Sequence, residues 1–218
     1  KIFKDGVDVT SQFNGIEKSS GKLIVKPRTV HLTSESATKK YDGVALTRPV
    51  VTVTGDGFIN NEATAAATGS IVVVGEKVNT IEVTENAGFK ASNYVIDKTE
   101  GKLIITASDD QILITAPDKT KSYDGTPLTS ADAGQATVVM PAGYETYTVN
   151  VVTSGTVLNV SQGAVDNKIE SYKILAPNGD DVTSQFTNVR TVNGKLSISK
   201  RDVELTSDSV ERVYDGTE

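Results

Sequence analysis

Tyr41-Asp42-Gly43 is written again as Tyr123-Asp124-Gly125 and a third time as Tyr214-Asp215-Gly216. Tyr41 to Tyr123 is 82 residues, and Tyr123 to Tyr214 is 91. Thr33, Thr115 and Thr206 each stand eight residues before their Tyr, with Leu32, Ile114 and Leu205 one position earlier. A second phrase precedes each copy, as Gly21-Lys22-Leu23, Gly101-Lys102-Leu103 and Gly194-Lys195-Leu196, at 20, 22 and 20 residues ahead of the Tyr. Two phrases that travel together at near-constant spacing mark a tandem repeat. The block they form joins the end of one unit to the start of the next.

Asp-Gly is a tight-turn signal, because Gly adopts positive φ without a Cβ clash and Asp bonds its own turn backbone. The Tyr in front is aimed by that turn. It is expected to bury its ring and to bond its hydroxyl to nearby backbone, as a tyrosine corner does. The motif is therefore read as structural rather than as a ligand contact.

Around these phrases the apolar residues alternate. Leu23 with Val25, Val30 with Leu32, Val51 with Val53, and Tyr147 with Val149 and Val151 have the period of strands with one buried face. The expected fold class is all-β, with tandem immunoglobulin-like β-sandwich domains arranged end to end, since sandwiches of that type run to about 100 residues. The expected domains are closing strands of a preceding repeat at 1–26, complete repeats at 27–107 and 108–199, and opening strands of a following repeat at 200–218. Lys1-Ile2-Phe3 and Asp8 to Phe13 reappear as Lys173-Ile174-Leu175 and Asp181 to Phe186, so the first segment repeats the end of a unit. Neither end segment completes a sandwich, and each is expected to pack on a neighbouring unit or on the opposite end of a second molecule.

Finer expectations follow. Ile71–Val74 is a buried-strand candidate and 145–152 a strand. The Ala-rich 63–68 run is a possible helical turn, opposed by Thr64, Thr68 and Gly69. A bulky aromatic before each Gly-Lys-Leu (Phe13, Tyr94, Phe186) is expected in the core. The second unit's added length is placed around 170–181.

The net charge of −6 and pI near 4.9 argue against nucleic acid and anionic membrane surfaces as partners. No run approaches the roughly 20 apolar residues of a membrane-spanning helix, so no membrane insertion is expected. The absence of Cys excludes disulfides and thiolate metal sites. His31 is the only His and sits in strand register opposite Val30 and Leu32, a poor setting for a Ser-His-Asp system. Asp109-Asp110 and Asp180-Asp181 are adjacent carboxylates that point apart in extended chain, so they read as solvated loops. Asp109-Asp110 also falls at the junction between units, where a calcium ion would stiffen the joint, but no Asp-x-Asp-x-Asp-Gly spacing occurs. Asn159-Val160-Ser161 matches a glycosylation sequon. A Lys-Asn crosslink through Lys39 or Lys40 would compensate for missing disulfides, without a diagnostic spacing. No catalytic residue, metal ligand or cofactor site emerges, and the chain reads as no enzyme.

The phrase at 39–47, Lys-Lys-Tyr-Asp-Gly-Val-Ala-Leu-Thr, and that at 121–129, Lys-Ser-Tyr-Asp-Gly-Thr-Pro-Leu-Thr, resemble the YDG-type (MBG-type) immunoglobulin-like repeats of large Gram-positive surface proteins. Pro27-Arg28-Thr29-Val30, Gly55-Asp56-Gly57-Phe58 and Asn93-Tyr94 with Ile96 are similar to that family's phrases too; Gly143-Tyr144 replaces Gly57-Phe58 in the second unit. The resemblance implies an extracellular, cell-wall-associated, secreted array whose partners are neighbouring repeats of the same protein. It also implies a non-catalytic stalk segment, spacing a functional region from the cell wall. The alternative is an adhesin module binding host glycan or protein, with Phe58, Tyr144, Tyr147 and Tyr172 as aromatic platforms for sugar.

Overall fold

Alternating β-branched residues punctuated by Gly turns give strands and almost no helix. The computed structural model describes residues 1–15 and 17–216. A small hairpin, β1 (Phe3–Lys4) with β2 (Val7–Asp8), comes first. Then follow β3 (Arg28–Ser34), β4 (Ala37–Lys40), β5 (Leu46–Thr47), β6 (Val51–Gly55), β7 (Ala63–Ala67), β8 (Ser70–Ile71), β9 (Gly75–Asn79), β10 (Ile81–Glu85), β11 (Tyr94–Thr99) and β12 (Gly101–Thr106). A second set repeats the plan: β13 (Ile112–Thr115), β14 (Lys119–Ser122), β15 (Leu128–Thr129), α1 (Ser130–Ala133), β16 (Thr137–Val139), β17 (Thr148–Ser154), β18 (Thr156–Val157), β19 (Val165–Leu175), β20 (Val189–Val192) and β21 (Gly194–Ser199). Among the described residues, strand pairing after the hairpin sorts into two groups, 28–106 and 112–199.

In each group the opening and closing runs lie side by side and parallel, and both step together from one small sheet into another. β3 pairs with β11, setting Val30 beside Ile96, and past a break at Glu35-Ser36 the run continues as β4 against β12, setting Ala37 beside Leu103. The second group repeats this with β13 on β20 and β14 on β21. The step explains the Gly of Gly-Lys-Leu. A Cβ on Gly101 would fall on the Glu35 carbonyl and one on Gly194 on the Pro117 carbonyl, because the neighbouring run crosses directly over the glycine.

A buried Asn holds each crossing. Asn79 is fully buried; its Nδ2 donates to the carbonyls of Glu35 (3.0 Å) and Arg48 (2.9 Å). Asn167 does the same for Pro117 at 2.9 Å. Carbonyls left unbonded where two strands separate cost free energy when buried, and an amide side chain satisfies them. Ser34 completes the first crossing, accepting from the Gly101 amide at 3.0 Å and donating to the Asn79 carbonyl at 2.6 Å.

The core divides into three clusters, giving a sandwich-like character. Val30, Leu32, Ile81 and Tyr94 form the first, and Leu128, Val157, Leu196 and Ile198 the last. The middle one belongs to both groups: Tyr41, Leu46, Leu103 and Ile105 of the first pack with Ile112, Ile114, Tyr144, Ile174, Val182 and Phe186 of the second.

Several local expectations change. The Ala-rich run is strand β7, paired with β10, because Ala63 and Ala67 are buried on one face while Thr64 and Ala66 point out. Ile71 ends its strand, and Val72, Val73 and Val74 are 44%, 52% and 36% exposed where they reach the second group. The strand expected over 145–152 begins at Thr148, since Tyr147 is drawn into the shared core. The second group's extra length is divided among α1, the 3-10 turn Val160–Gln162 and the turn after Leu175. Tyr94 and Phe186 are buried as expected, whereas Phe13 is 52% exposed, having no strand group behind it.

Candidate functional site: the junction between the strand groups

The repeated motif builds the junction from its turn outward. Asp42 Oδ1 accepts the Val44 amide at 2.9 Å and Asp124 Oδ1 the Thr126 amide at 2.9 Å, the local turn that Asp-Gly announces. Gly43, Gly125 and Gly216 have φ of 75°, 85° and 87°, the region glycine enters freely. The Lys two residues before Tyr41 and before Tyr123 clips the turn: Lys39 Nζ lies 2.7 Å from Asp42 and Lys121 Nζ 3.0 Å from Asp124. Bonds from the Thr126 amide and hydroxyl, with the Lys121 ammonium, depress the Asp124 carboxyl to about 2. A side chain mounted on so constrained a turn has its direction set in advance.

What the turn presents differs between copies. Tyr41 is 3% exposed, Tyr123 is 42% and Tyr214 is 84%. The expected burial of the ring thus holds for Tyr41 and fails for Tyr123 and Tyr214. Tyr41 is buried by the following group, where its ring meets Phe186 edge-on at 5.7 Å and lies near-parallel to Tyr144 at 6.5 Å. Tyr144 and Tyr147 pack edge-on to Phe186 and to each other, so four rings interlock, two pairs of them inside 5.5 Å. The hydroxyl pattern also differs from a tyrosine corner. It is the Tyr144 hydroxyl that donates to the backbone carbonyl of Tyr41, while the Tyr41 hydroxyl lies 3.5 Å from that of Tyr147. Burial foremost, then the Tyr147 hydroxyl, pushes the Tyr41 phenol above its ordinary 10.0.

Polar contacts ring this centre. Lys40 Nζ bridges Asp109 (2.9 Å) and Asp110 (2.8 Å), and the Val74 amide donates to Gln185 Oε1 at 2.6 Å. The hydrogen bonds from Lys40 hold both carboxyls below the usual aspartate value, and the same bonds, Asp110's first, raise the Lys40 ammonium. The pair of carboxylates considered for calcium thus already holds a cation, the side chain of Lys40. Exposed ion pairs contribute little stability singly; this one fixes orientation around the aromatic centre. Ser108, two residues past the last strand of the first group, is already bridged to Phe186, its amide donating to the Gln185 carbonyl at 2.8 Å. No slack chain separates the groups.

The remaining sequence candidates lie elsewhere. His31 is exposed on β3 with Nδ1 3.3 Å from Asp97. Asp180 and Asp181 serve their own turns, Asp180 bonded to Asn178 and Asp181 to Thr183. The Lys39 ammonium is taken by Asp42 and that of Lys40 by Asp109 with Asp110. Asn159 leads an exposed 3-10 turn. Among the proposed sugar platforms, Tyr144 and Tyr147 belong to the junction, Phe58 packs edge-on against Tyr94 at 5.4 Å, and Tyr172 is half-buried on β19. Among the described residues no three His, Cys, Asp or Glu side chains gather as a metal site would need, and no helix is long and apolar enough to cross a membrane. Sequence reasoning missed Asn79 and Asn167; the recurring Asn-x-Ile of Asn79-Thr80-Ile81 and Asn167-Lys168-Ile169 was the available signal. Comparison with protein-family models, curated proteins and solved structures finds no match to this chain.

Proposed function

We propose that this chain is a non-catalytic stalk segment of a large, extracellular, cell-wall-associated bacterial surface protein. Immunoglobulin-like units follow one another in it and space a functional region away from the wall. The observation that carries this reading is the core shared between the two strand groups, with Tyr41 of one sealed by Tyr144, Tyr147 and Phe186 of the other. Bending such a joint would expose aromatic surface to water, at about 25 cal/mol per Å², so the joint resists bending without needing a rigid linker. The sequence resemblance supports the setting on a Gram-positive surface. The alternative, an adhesin that holds host glycan or protein, has lost most of its aromatic platforms to internal packing.

Small-angle scattering tests the proposal. Two units of about 35 Å each, from strands of about six residues at about 3.3 Å per residue plus loops, give a maximum dimension near 70 Å and a rod-like distance distribution. A globule as wide as it is long overturns the reading. A glycan array is expected to show no saturable binding, and a saturable hit moves the chain to the adhesin class.

A further inference from the structure

We propose that the chain pairs with a second copy of itself through the outer edge of β17, antiparallel about a twofold axis at Asn150. β17 closes one side of the sheet β14-β21-β19-β17 and bonds only to β19. At seven residues it is the longest edge strand among the described residues, and no charged residue occurs from Thr146 to Val165. Natural edges are kept from pairing with other chains by charge, Lys above all, or by Pro. The edges β4, β9, β11, β14 and β20 carry Lys, Arg, Asp or Glu, whereas Thr148-Val149-Asn150-Val151-Val152 carries none. The edge lies well inside the chain. Its counterpart in the first group, β7, also bonds to one strand only, so a following group leaves this edge open.

The bonds of the neighbouring strand show which groups of β17 point outward. The Ile174 amide donates to Thr183 Oγ1 at 2.9 Å and its carbonyl accepts from the Val182 amide at 2.9 Å, so Ile174 bonds away from β17. Its partner across the pair, Val149, therefore turns its own amide and carbonyl to the open side, and strand alternation makes Val151 do the same. The usable stretch is bounded at both ends: the Tyr147 amide is taken by the Tyr144 carbonyl at 3.0 Å, and the register with β19 shifts between Val152 and Thr153. A twofold at Asn150 is the register that fits these bounds. Val149 of one copy then exchanges both of its backbone bonds with Val151 of the other, and the reverse. Centring on Val151 would set Val149 opposite Thr153, past the shift; centring on Val149 would set Val151 opposite the already bonded Tyr147. The half-buried Val149 and Val151 side chains meet on the face that packs on the shared core. On the opposite face the Asn150 side chains of the two copies meet, and Val152, 57% exposed, is covered by Thr148. An edge this short falls well below the roughly 1,200 Å² that stable complexes bury, so the pair is weak and reversible.

Sedimentation equilibrium and amide exchange of the 218-residue chain test this. The weight-average mass is expected to rise above the 23.1 kDa of the monomer as the chain approaches millimolar concentration, and the Val149 and Val151 amides to gain protection with it. Asn150 is exposed, so its variants keep the circular dichroism of the parent chain. Asn150→Lys and Asn150→Asp, each setting like charges opposite one another, are expected to weaken association by about tenfold or more, and their equimolar mixture to restore it. That rescue requires residue 150 to face its own image. A mass of 23.1 kDa at every concentration to the millimolar range overturns the proposal. So does association that Asn150→Lys leaves unchanged, which would place the contact on another surface such as the chain ends, or a mixture of the two variants that associates no better than either alone. Protection of Val149 and Val151 that a Lys-Thr-Val-Thr-Val-Thr-Lys peptide induces, and that chain concentration does not, overturns it in favour of a peptide partner. None of these outcomes depends on the stalk reading.

Discussion

Replacing Tyr41 with Ala removes a ring that is 3% exposed and touches three aromatic side chains of the other strand group. Aromatic truncations in cores cost about 3 to 5 kcal/mol, lost transfer energy plus the cavity left behind. The backbone carbonyl that accepts from Tyr144 survives the change, so the value should lie near the lower end, about 3 kcal/mol. Tyr123→Ala is the internal control. The same residue in the same turn is 42% exposed and should cost about 0.5 kcal/mol, as surface changes do. Because about 1 kcal/mol shifts the melting temperature of a chain this size by about 2–4 °C, Tyr41→Ala should lower it by about 6–12 °C and Tyr123→Ala by about 2 °C or less. Calorimetry reads both, and amide exchange localises the loss. The Val74 and Ser108 amides, which donate across the joint to Gln185, should lose protection in Tyr41→Ala before the amides of β3. Equal losses for the two Tyr variants, or protection lost uniformly, would show that the Tyr acts within its own strand group and refute the junction argument.

Gly101→Ala and Gly194→Ala should each destabilise by more than about 2 kcal/mol by denaturant titration, since the new methyl meets the carbonyl of the crossing run. Asn79→Ala should cost about 1–3 kcal/mol in the same assay by leaving the Glu35 and Arg48 carbonyls without their donor. The Tyr41 phenol titrates above its ordinary 10.0 in the folded chain, so its contribution is complete below pH 10 and is lost as pH rises from there through the folded value; melting temperature should fall across that window, less steeply in Tyr41→Phe. Asp109 and Asp110 are depressed by Lys40, so their contribution is present above their ordinary 3.8 and lost as pH falls below it; Lys40→Gln should flatten that acid limb.

Much of the architecture was legible because it is local. Strand character follows from alternation at Val30, Leu32, Leu103 and Ile105, and those residues are buried. The turn at Asp42-Gly43 was legible because positive φ is a property of a single residue, whereas the Lys39 clip on Asp42 was not read from the phrase and came only from the structure. Ala63 to Ala67 was ambiguous for a physical reason: Ala has little preference for a pleated surface, and only pairing with β10 makes the run a strand. Asn79 and Asn167 went unread because a buried Asn has no meaning until the carbonyls of two separating strands converge on it.

By itself the sequence determined that this is an all-β repeat protein, which phrases recur, and where the backbone must turn, since these depend on composition, spacing and single-residue conformational limits. Tertiary structure alone decided that Tyr41 belongs to the next strand group's core, that Val72 to Val74 face a neighbour, and that Lys40 spans Asp109 and Asp110. Three copies of Tyr-Asp-Gly are nearly identical in sequence and range from 3% to 84% exposed. The difference lies in what stands opposite each ring, and a motif's own residues carry no record of that.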